Sequence, residues 1–333
     1  MTKKIFISGG AGYCGSRLVP QLLSRGYKVT VYDLLIFGKD FFPSHENLNI
    51  IKGDIRDIDL LKKSCRDHDF FVNLSCISND ASFVLDEKLS TSINLDAFEP
   101  MVVAAKNVGI KRFVYASSSS VYGLSDQKDV KEDHPLVPLT LYNKYKGMCE
   151  PILFKHTDDK FEGVIFRPAT VCGYAPRLRL DLSVNILTNH AINKNKITVF
   201  GGDQLRPNLH IQDYCDLVEL LINAESKKIK NEIFNVGYQN LSINQIAEIV
   251  KSVVQEQFPE KGNIQINKTQ SDDNRSYHIN SDKIFEKLDF KPKYSIEDAV
   301  RELCVNFKNN KIPNSFDDDI YFNVKRLQRL KIS

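Results

Sequence analysis

Two hydrophobic patterns take turns along the first half of the chain. Short runs of β-branched and aromatic residues, KKIFISGG, YKVTVYD, LNIIKGDIRD, DFFVNLSC, KRFVYASS and FEGVIFRPATV, predict six strands between Lys3 and Val171. Between them, SRLVPQLLSRG, LLKKSC, NLDAFEPMVVAAKNVG and LYNKYKGMCEPILFK place apolar residues at helical spacing. Glycines at Gly26 and Gly109 mark two helix ends. Strand and helix alternating in this way predict an α/β fold, a doubly wound parallel sheet with helices on both faces.

The alternation weakens after Val171. LSVNILTNHAINKN reads as a helix; DYCDLVELLINAES and NEIFNVG read as a helix and a strand that return to the main sheet. INQIAEIVKSVVQEQ and SIEDAVRELCVNFKNN are helices of a smaller region. The expected division is residues 1–168 and 207–238 for the main domain, and residues 169–206 and 239–333 for a discontinuous α/β lobe across a cleft. The tail, NSFDDDIYFNVKRLQRLKIS, is polar and mixed and is assigned no element.

Composition narrows the function. The chain has 333 residues, 45 basic and 42 acidic, for a net charge of +3. That balance gives no electrostatic footprint for nucleic acid, although a few arginines could hold a small anion. Seven cysteines at wide spacing, with no Cys-x-x-Cys, predict a reducing compartment, no disulfide framework and no zinc site. The apolar run after the basic start is too short for a signal peptide, and no stretch has the length of a membrane span. A cytoplasmic location is expected.

Chemistry enters at ISGGAGYCGS, where Gly9, Gly12 and Gly15 stand at G-x-x-G-x-x-G spacing between a strand and a helix. Glycines allow a tight turn and close approach of backbone to a pyrophosphate, and the helix N-terminus offers unpaired N–H groups. The second strand ends in Asp33, suited to the adenosine ribose hydroxyls. An acidic side chain there repels the extra phosphate of NADP, and no arginine follows closely in DLLIFGK, so NAD is favoured. Asp54, after the third strand, either reaches the adenine or caps the next helix. The domain therefore reads as Rossmann-type.

LYNKYKG places Tyr142 and Lys146 four residues apart, on one helix face. A free tyrosine has a pKa of about 10 and is a poor base near neutral pH. A lysine ammonium one turn away favours the phenolate. Tyr145 has Cys149 at the matching position instead. Upstream, FVYASSSSVYG carries four consecutive serines, Ser117 to Ser120, that a buried strand does not need.

Taken in order, GGAGYCG, YASSSSVYG, YNKYK, RPATVCG, RPNLHIQD and FNVG resemble an extended short-chain dehydrogenase/reductase of the NAD-dependent nucleotide-sugar epimerase/dehydratase family. The resemblance implies that Ser118, five residues before Gly123, is the catalytic hydroxyl beside Tyr142, and that Ser117 lies near the cofactor. It implies further cofactor contacts from Tyr13, Cys14, Ile55, Leu74, Ser75, Cys76 and Pro168, besides Tyr142 and Lys146. In 4,6-dehydratases the next two positions are Asp and Glu, and in GDP-mannose 3,5-epimerases a cysteine takes the second. Here they are Ser119 and Ser120, which argues against both routes.

On the substrate side the resemblance assigns the diphosphate of a nucleotide sugar to Arg206, four before His210, and to Arg275. Ser78, Ser119, Arg177, Arg179 and Asn185 are expected near the cleft, with Val199 and Phe200 near the base. His210 is read as structural. The implied activity is an NAD-dependent epimerase, most simply at C4, through a transient keto-sugar. An NAD(P)H-dependent keto-sugar reductase keeps the same residues, and a non-catalytic redox sensor would be expected to lack them. A homodimer through NLDAFEPMVVAAKNVG and the helix carrying Tyr142 is also implied.

Overall fold

A computed structural model describes residues 2–123, 125, 127, 129–270, 276 and 278–331. The strands are β1 (Lys4–Ser8), β2 (Lys28–Asp33), β3 (Leu48–Lys52), β4 (Phe70–Asn73), β5 (Arg112–Ala116), β6 (Glu162–Pro168), β7 (Thr170–Cys172), β8 (Lys196–Phe200), β9 (Leu205–His210), β10 (Glu232–Val236), β11 (Gln239–Ser242) and β12 (Gln265–Thr269). Helices of at least eight residues are α1 (Tyr13–Ser24), α2 (Ile58–Cys65), α3 (Phe98–Asn107), α4 (Leu141–Lys155), α5 (Ser183–Lys194), α6 (Ile211–Asn223), α7 (Ile243–Gln257), α8 (Ile296–Lys308) and α9 (Asn323–Leu330).

Seven strands form one sheet in the order β10-β6-β5-β4-β1-β2-β3, and every neighbouring pair is parallel. Alternation along the strands explains why both faces are covered. Ile5, Ile7, Val29, Val31, Val72, Val114 and Val164 share one buried core with Leu18, Val19 and Leu22 of α1 and Leu217, Val218 and Leu221 of α6. Phe6, Phe71, Phe113 and Ile165 turn the other way, against Leu61 of α2, Met101 and Val102 of α3, and Cys149 and Leu153 of α4. The sheet is doubly wound, as expected.

The strand order reverses beside β1, which lies between β2 and β4. Loops leaving the C-terminal ends of β1 and β4 diverge there and open a crevice, the usual ligand position in such sheets. The smaller lobe holds a sheet of β11-β9-β7 and a parallel pair, β8 with β12. α5, α7 and α8 pack beside them around Val184, Leu187, Ile246, Val250, Val254 and Val300. α7 and α8 both open with a capping box, Ser242 with Gln245 and Ser295 with Asp298.

The lobes interleave more than the expected boundaries allow. β9 pairs with β11 and β7, so the small sheet runs past residue 206 to His210. Ile284 and Phe290 join the core of the main sheet, where Lys283 also donates to the Ile233 carbonyl at 2.8 Å. The tail, given no element above, forms α9, and Arg326 Nε reaches the Ile36 carbonyl behind β2 at 2.5 Å. No described helix is long and apolar enough to cross a membrane.

Candidate active site

Two adjoining cavities lie at the crevice. The first is lined by Gly9, Gly12, Tyr13, Cys14 and Gly15, by Asp33, Asp54 and Ile55, by Leu74 to Ser78, and by Ser117, Ser118, Tyr142, Lys146 and Pro168. The glycines fit this cavity for steric reasons. Gly9 has φ +73°, and a Cβ on it would stand 2.5 Å from the Ser75 backbone. A Cβ on Gly15 would stand 2.2 Å from the Gly10 carbonyl, so the helix could not pack this close to the loop. Gly12 is the N-cap of α1, whose first-turn N–H groups lack intrahelical partners.

Asp33 is held at the cavity edge by two backbone donors. Ala11 N–H reaches Oδ2 at 3.0 Å and Leu35 N–H reaches Oδ1 at 2.8 Å. Each carboxylate oxygen keeps a second lone pair for a ribose hydroxyl. Burial raises the Asp33 pKa, and the two backbone bonds oppose the rise. Asp54 binds its neighbour Arg56, with Oδ2 at 2.6 Å from Nη2. Burial pushes the Asp54 pKa up, but Arg56 outweighs it and the carboxylate is held below its ordinary value. The cap of α2 is Asp57 rather than Asp54.

Beyond β5 the chain turns sharply, with Ser118 as the N-cap of a short 3-10 turn from Ser119 to Tyr122. Ser117 faces inward and donates to Glu150 Oε1 at 2.6 Å. Glu150 and Arg167 form a buried ion pair at 2.6 Å, and Arg167 also reaches the Tyr122 hydroxyl at 2.6 Å. Burial works against the Arg167 charge, but Glu150 more than offsets it and the pKa is raised. This network fixes the end of β5 under the site. Ser118 and Ser120 share a hydrogen bond at 2.7 Å, and Ser120 donates to Asn143 Oδ1 at 2.5 Å.

α4 starts at Thr140, whose hydroxyl accepts from Asn143 N–H at 3.3 Å and donates to Asp80 Oδ1 at 2.5 Å. Tyr142 therefore sits in the first turn, facing the crevice, with Lys146 one turn behind. The Lys146 ammonium is buried and donates to the Ala116 carbonyl at 2.8 Å. Tyr145 packs edge-on against Phe83 instead.

The second cavity is lined by Ser78 to Asp80, Ser118 to Ser120, Tyr142, Asn143, Arg179, Asp181, Thr198, Phe200, Gln204 and Arg206. Ser118 and Tyr142 belong to both cavities. Arg179 also lines both, held by Asp181 at 2.8 Å and by Ser78 at 3.2 Å. Arg275 lies outside the described residues.

Three substrate-side expectations change. Arg177 lines the first cavity and not the second, because its loop folds back onto α1, with Arg177 N–H on Ser16 Oγ at 3.1 Å. Asn185 is fully buried and consumed by the scaffold: its amide meets Gly173 N–H at 3.0 Å, the Arg179 carbonyl at 2.8 Å and the Tyr13 hydroxyl at 3.2 Å. Val199 is fully buried in the core of the small lobe, since alternation along β8 turns Thr198 and Phe200 to the cleft. Tyr13 lines both cavities while its hydroxyl donates to the Gly173 carbonyl at 2.6 Å. Burial pushes the Cys14 thiol up to about 12, so it is no thiolate near neutral pH. His210 caps α6, its Nδ1 accepting from Gln212 N–H at 3.0 Å.

The motifs did not mark Phe37, Tyr214, Asn323 or Leu327, which also line the first cavity. The last two lie in the polar, mixed tail to which the pattern assigned no element.

A family model described as NAD dependent epimerase/dehydratase family matches residues 5–237. The chain belongs to that family. A UDP-glucose 4-epimerase of Lactobacillus helveticus is 28% identical over 278 residues, 75% of this chain and 82% of its own length. A dTDP-glucose 4,6-dehydratase of an Actinoplanes species is 24% identical over 322 residues, covering 92% of this chain and 98% of its own. The solved structure of a UDP-N-acetylglucosamine 4-epimerase from Methanobrevibacter ruminantium M1, in complex with UDP-N-acetylmuramic acid, is 26% identical, with a TM-score of 0.82 over 93% of this chain and 99% of its own. Epimerases and a dehydratase of this NAD-dependent family match at comparable identity, so the reaction has to be argued from the site.

Proposed function

We propose that this family member is an NAD-recycling nucleotide-sugar epimerase acting at C4, with Ser118, Tyr142 and Lys146 as its catalytic set. The observation that carries the reading is the position of Ser118 and Tyr142, which line both the glycine-loop cavity and the second cavity. Bound NAD supplies reversible hydride acceptance. The glycine loop, Asp33 and Lys146 would hold it. Tyr142 takes the proton of the sugar hydroxyl at its phenolic oxygen and later returns it to the keto oxygen as the hydroxyl re-forms. Ser118 orients that hydroxyl. Lys146 keeps positive charge one turn from Tyr142, which favours the phenolate. The keto-sugar turns in the cleft between the two transfers, held by its diphosphate on Arg206 and, by resemblance, Arg275.

Ser119 and Ser120 support epimerisation over dehydration. Neither is an acid or base near neutral pH, and Ser120 is already committed to Ser118 and Asn143. The test is to incubate the purified chain with UDP-, dTDP- and GDP-sugars and follow the sugar protons by NMR. An epimer formed with no net change in nicotinamide absorbance is expected. Net NADH consumption with a keto-sugar would make it a reductase, and a dehydrated product would make it a dehydratase. The implied dimer would use α3 and α4, which pack side by side; sedimentation of the purified chain tests it.

A further inference from the structure

The first cavity has a wall that the motifs do not supply. Asn323 and Leu327, one turn apart on α9, line it together with Gly12, Asp33 and Arg177. Asn323 is buried, and each of its polar groups is engaged by a different part of the crevice. Its Oδ1 accepts from Arg177 Nη2 at 2.5 Å, its Nδ2 donates to Ser78 Oγ at 2.7 Å, and its backbone N–H donates to Asp181 Oδ2 at 3.2 Å. One turn on, Arg326 donates to the Ile36 carbonyl at 2.5 Å. Ile36 belongs to the loop after β2 and Ser78 to the loop after β4. α9 thus crosses the crevice and ties its two lips. The segment before it is anchored as well: Leu180 N–H donates to the Tyr321 carbonyl at 3.0 Å, and Asp319 holds Arg326 at 3.1 Å.

Arg177, the partner of Asn323, adds a buried charge to the same wall. It is buried, its guanidinium lies 3.5 Å from the centre of the Phe37 ring, and its Nε has no hydrogen-bond partner among the described residues. Burial and the nearby Arg179 push its pKa down to about 9, the direction of a cation short of counter-charge. Arg177 lines the cavity, and a buried cation short of counter-charge is costly unless an anion arrives beside it.

Building on the NAD-recycling reading above, we infer that α9 is a strap over the dinucleotide site: Asn323, Leu327 and Arg326 slow NAD release, and Arg177, held by Asn323, gives the anionic cofactor a buried counter-charge. A cofactor that must survive many turnovers needs a slow exit, and a helix tying both lips provides one.

The test is the release rate of NAD from the full chain. Wild type, Asn323→Ala and Arg326→Ala are loaded with labelled NAD, desalted and chased with excess unlabelled NAD; thermal unfolding of the NAD-free forms shows which are folded. Each variant loses hydrogen bonds of about 1–1.5 kcal/mol, so release about ten-fold faster than wild type is expected. Arg326 does not line the cavity, so its variant reports the strap and not a direct contact. Release within about two-fold of wild type in both folded variants would overturn the strap. Slow wild-type and fast variant release with no epimerised sugar would end the epimerase reading and leave the strap standing. Epimerised sugar with equal release rates would do the reverse.

Discussion

The glycine-loop cavity and the second cavity meet at Ser118 and Tyr142, yet they are built by different means. Backbone shapes the first: a glycine turn at φ +73°, the start of α1, and loops leaving the ends of β1, β2 and β4. Side chains from distant segments shape the second, including Asp80, Arg179, Phe200 and Arg206. Main-chain geometry depends on a few glycines and strand ends, so it survives wide sequence change. Side-chain geometry can be altered one residue at a time, which suits the part of the site that selects a substrate. The same contrast separates two buried arginines. Arg167 meets Glu150, Tyr122 and the Glu132 carbonyl, and its charge is stabilised. Arg177 has an Nε with no partner among the described residues, and it lines the first cavity.

The sharpest way to break this comparison is at the junction. Tyr142→Phe should lower turnover by about 10²–10⁴-fold or more, because a positioned acid–base group is lost. NAD content should stay at the wild-type level, since the backbone of the cavity is untouched. Near-normal epimerisation, measured by NMR with the variant, would remove Tyr142 from the chemistry.

Next in size is the scaffold under the junction. Glu150→Ala leaves Arg167 with an uncompensated buried charge, and a loss of about 3–5 kcal/mol is expected. Urea unfolding measures it, and a change under 1 kcal/mol, small beside that expected cost, would mean that the pair does not brace the site.

A smaller effect is expected from the sugar cleft alone. Arg206→Ala removes charge-assisted bonds of about 1.5–3 kcal/mol, so KM for the nucleotide sugar should rise by about 10- to 100-fold with little change in NAD release. If NAD release changes and KM does not, Arg206 serves the other cavity.

The smallest effect concerns Asp181, which holds Arg179 and the first N–H of α9. Burial pushes its pKa up, but Arg179 outweighs this and holds it below the ordinary 3.8. A carboxylate with a lowered folded pKa stabilises the protein above the unfolded value and loses that contribution as pH falls through the folded one. Midpoints of thermal unfolding for wild type and Asp181→Asn should therefore differ near neutral pH. The gap should begin to close as pH falls to about 3.8, the unfolded value, and vanish only below the lower folded pKa. A gap that stays constant into that acid range would show that the ion pair is not its source.

Much of the lining of the first cavity was legible in the linear chain. Gly9 and Gly15 stand where a Cβ would collide with backbone, and Asp33 marks a strand end. Tyr142 and Lys146 share a face through helix geometry alone. The substrate side was legible only where a motif resembled a known one. Val199 and Phe200 show why: in β8 a shift of one residue exchanges core for cleft, and no local pattern fixed the register. Asn185 looked like a cleft residue but closes a loop around Gly173 and Arg179.

The sequence by itself determined the doubly wound parallel sheet, the glycine loop and the Tyr142–Lys146 helix. Each of these rests on periodicity or on backbone conformation, which neighbours in the chain dictate. Only the tertiary structure decided that Arg177 lines the first cavity and that α9 crosses it. Those outcomes depend on contacts such as Arg177 with Asn323 and Arg326 with Ile36, between residues 146 and 290 positions apart. Packing brings such pairs together, and a short basic helix carries no local signal of what it will cover.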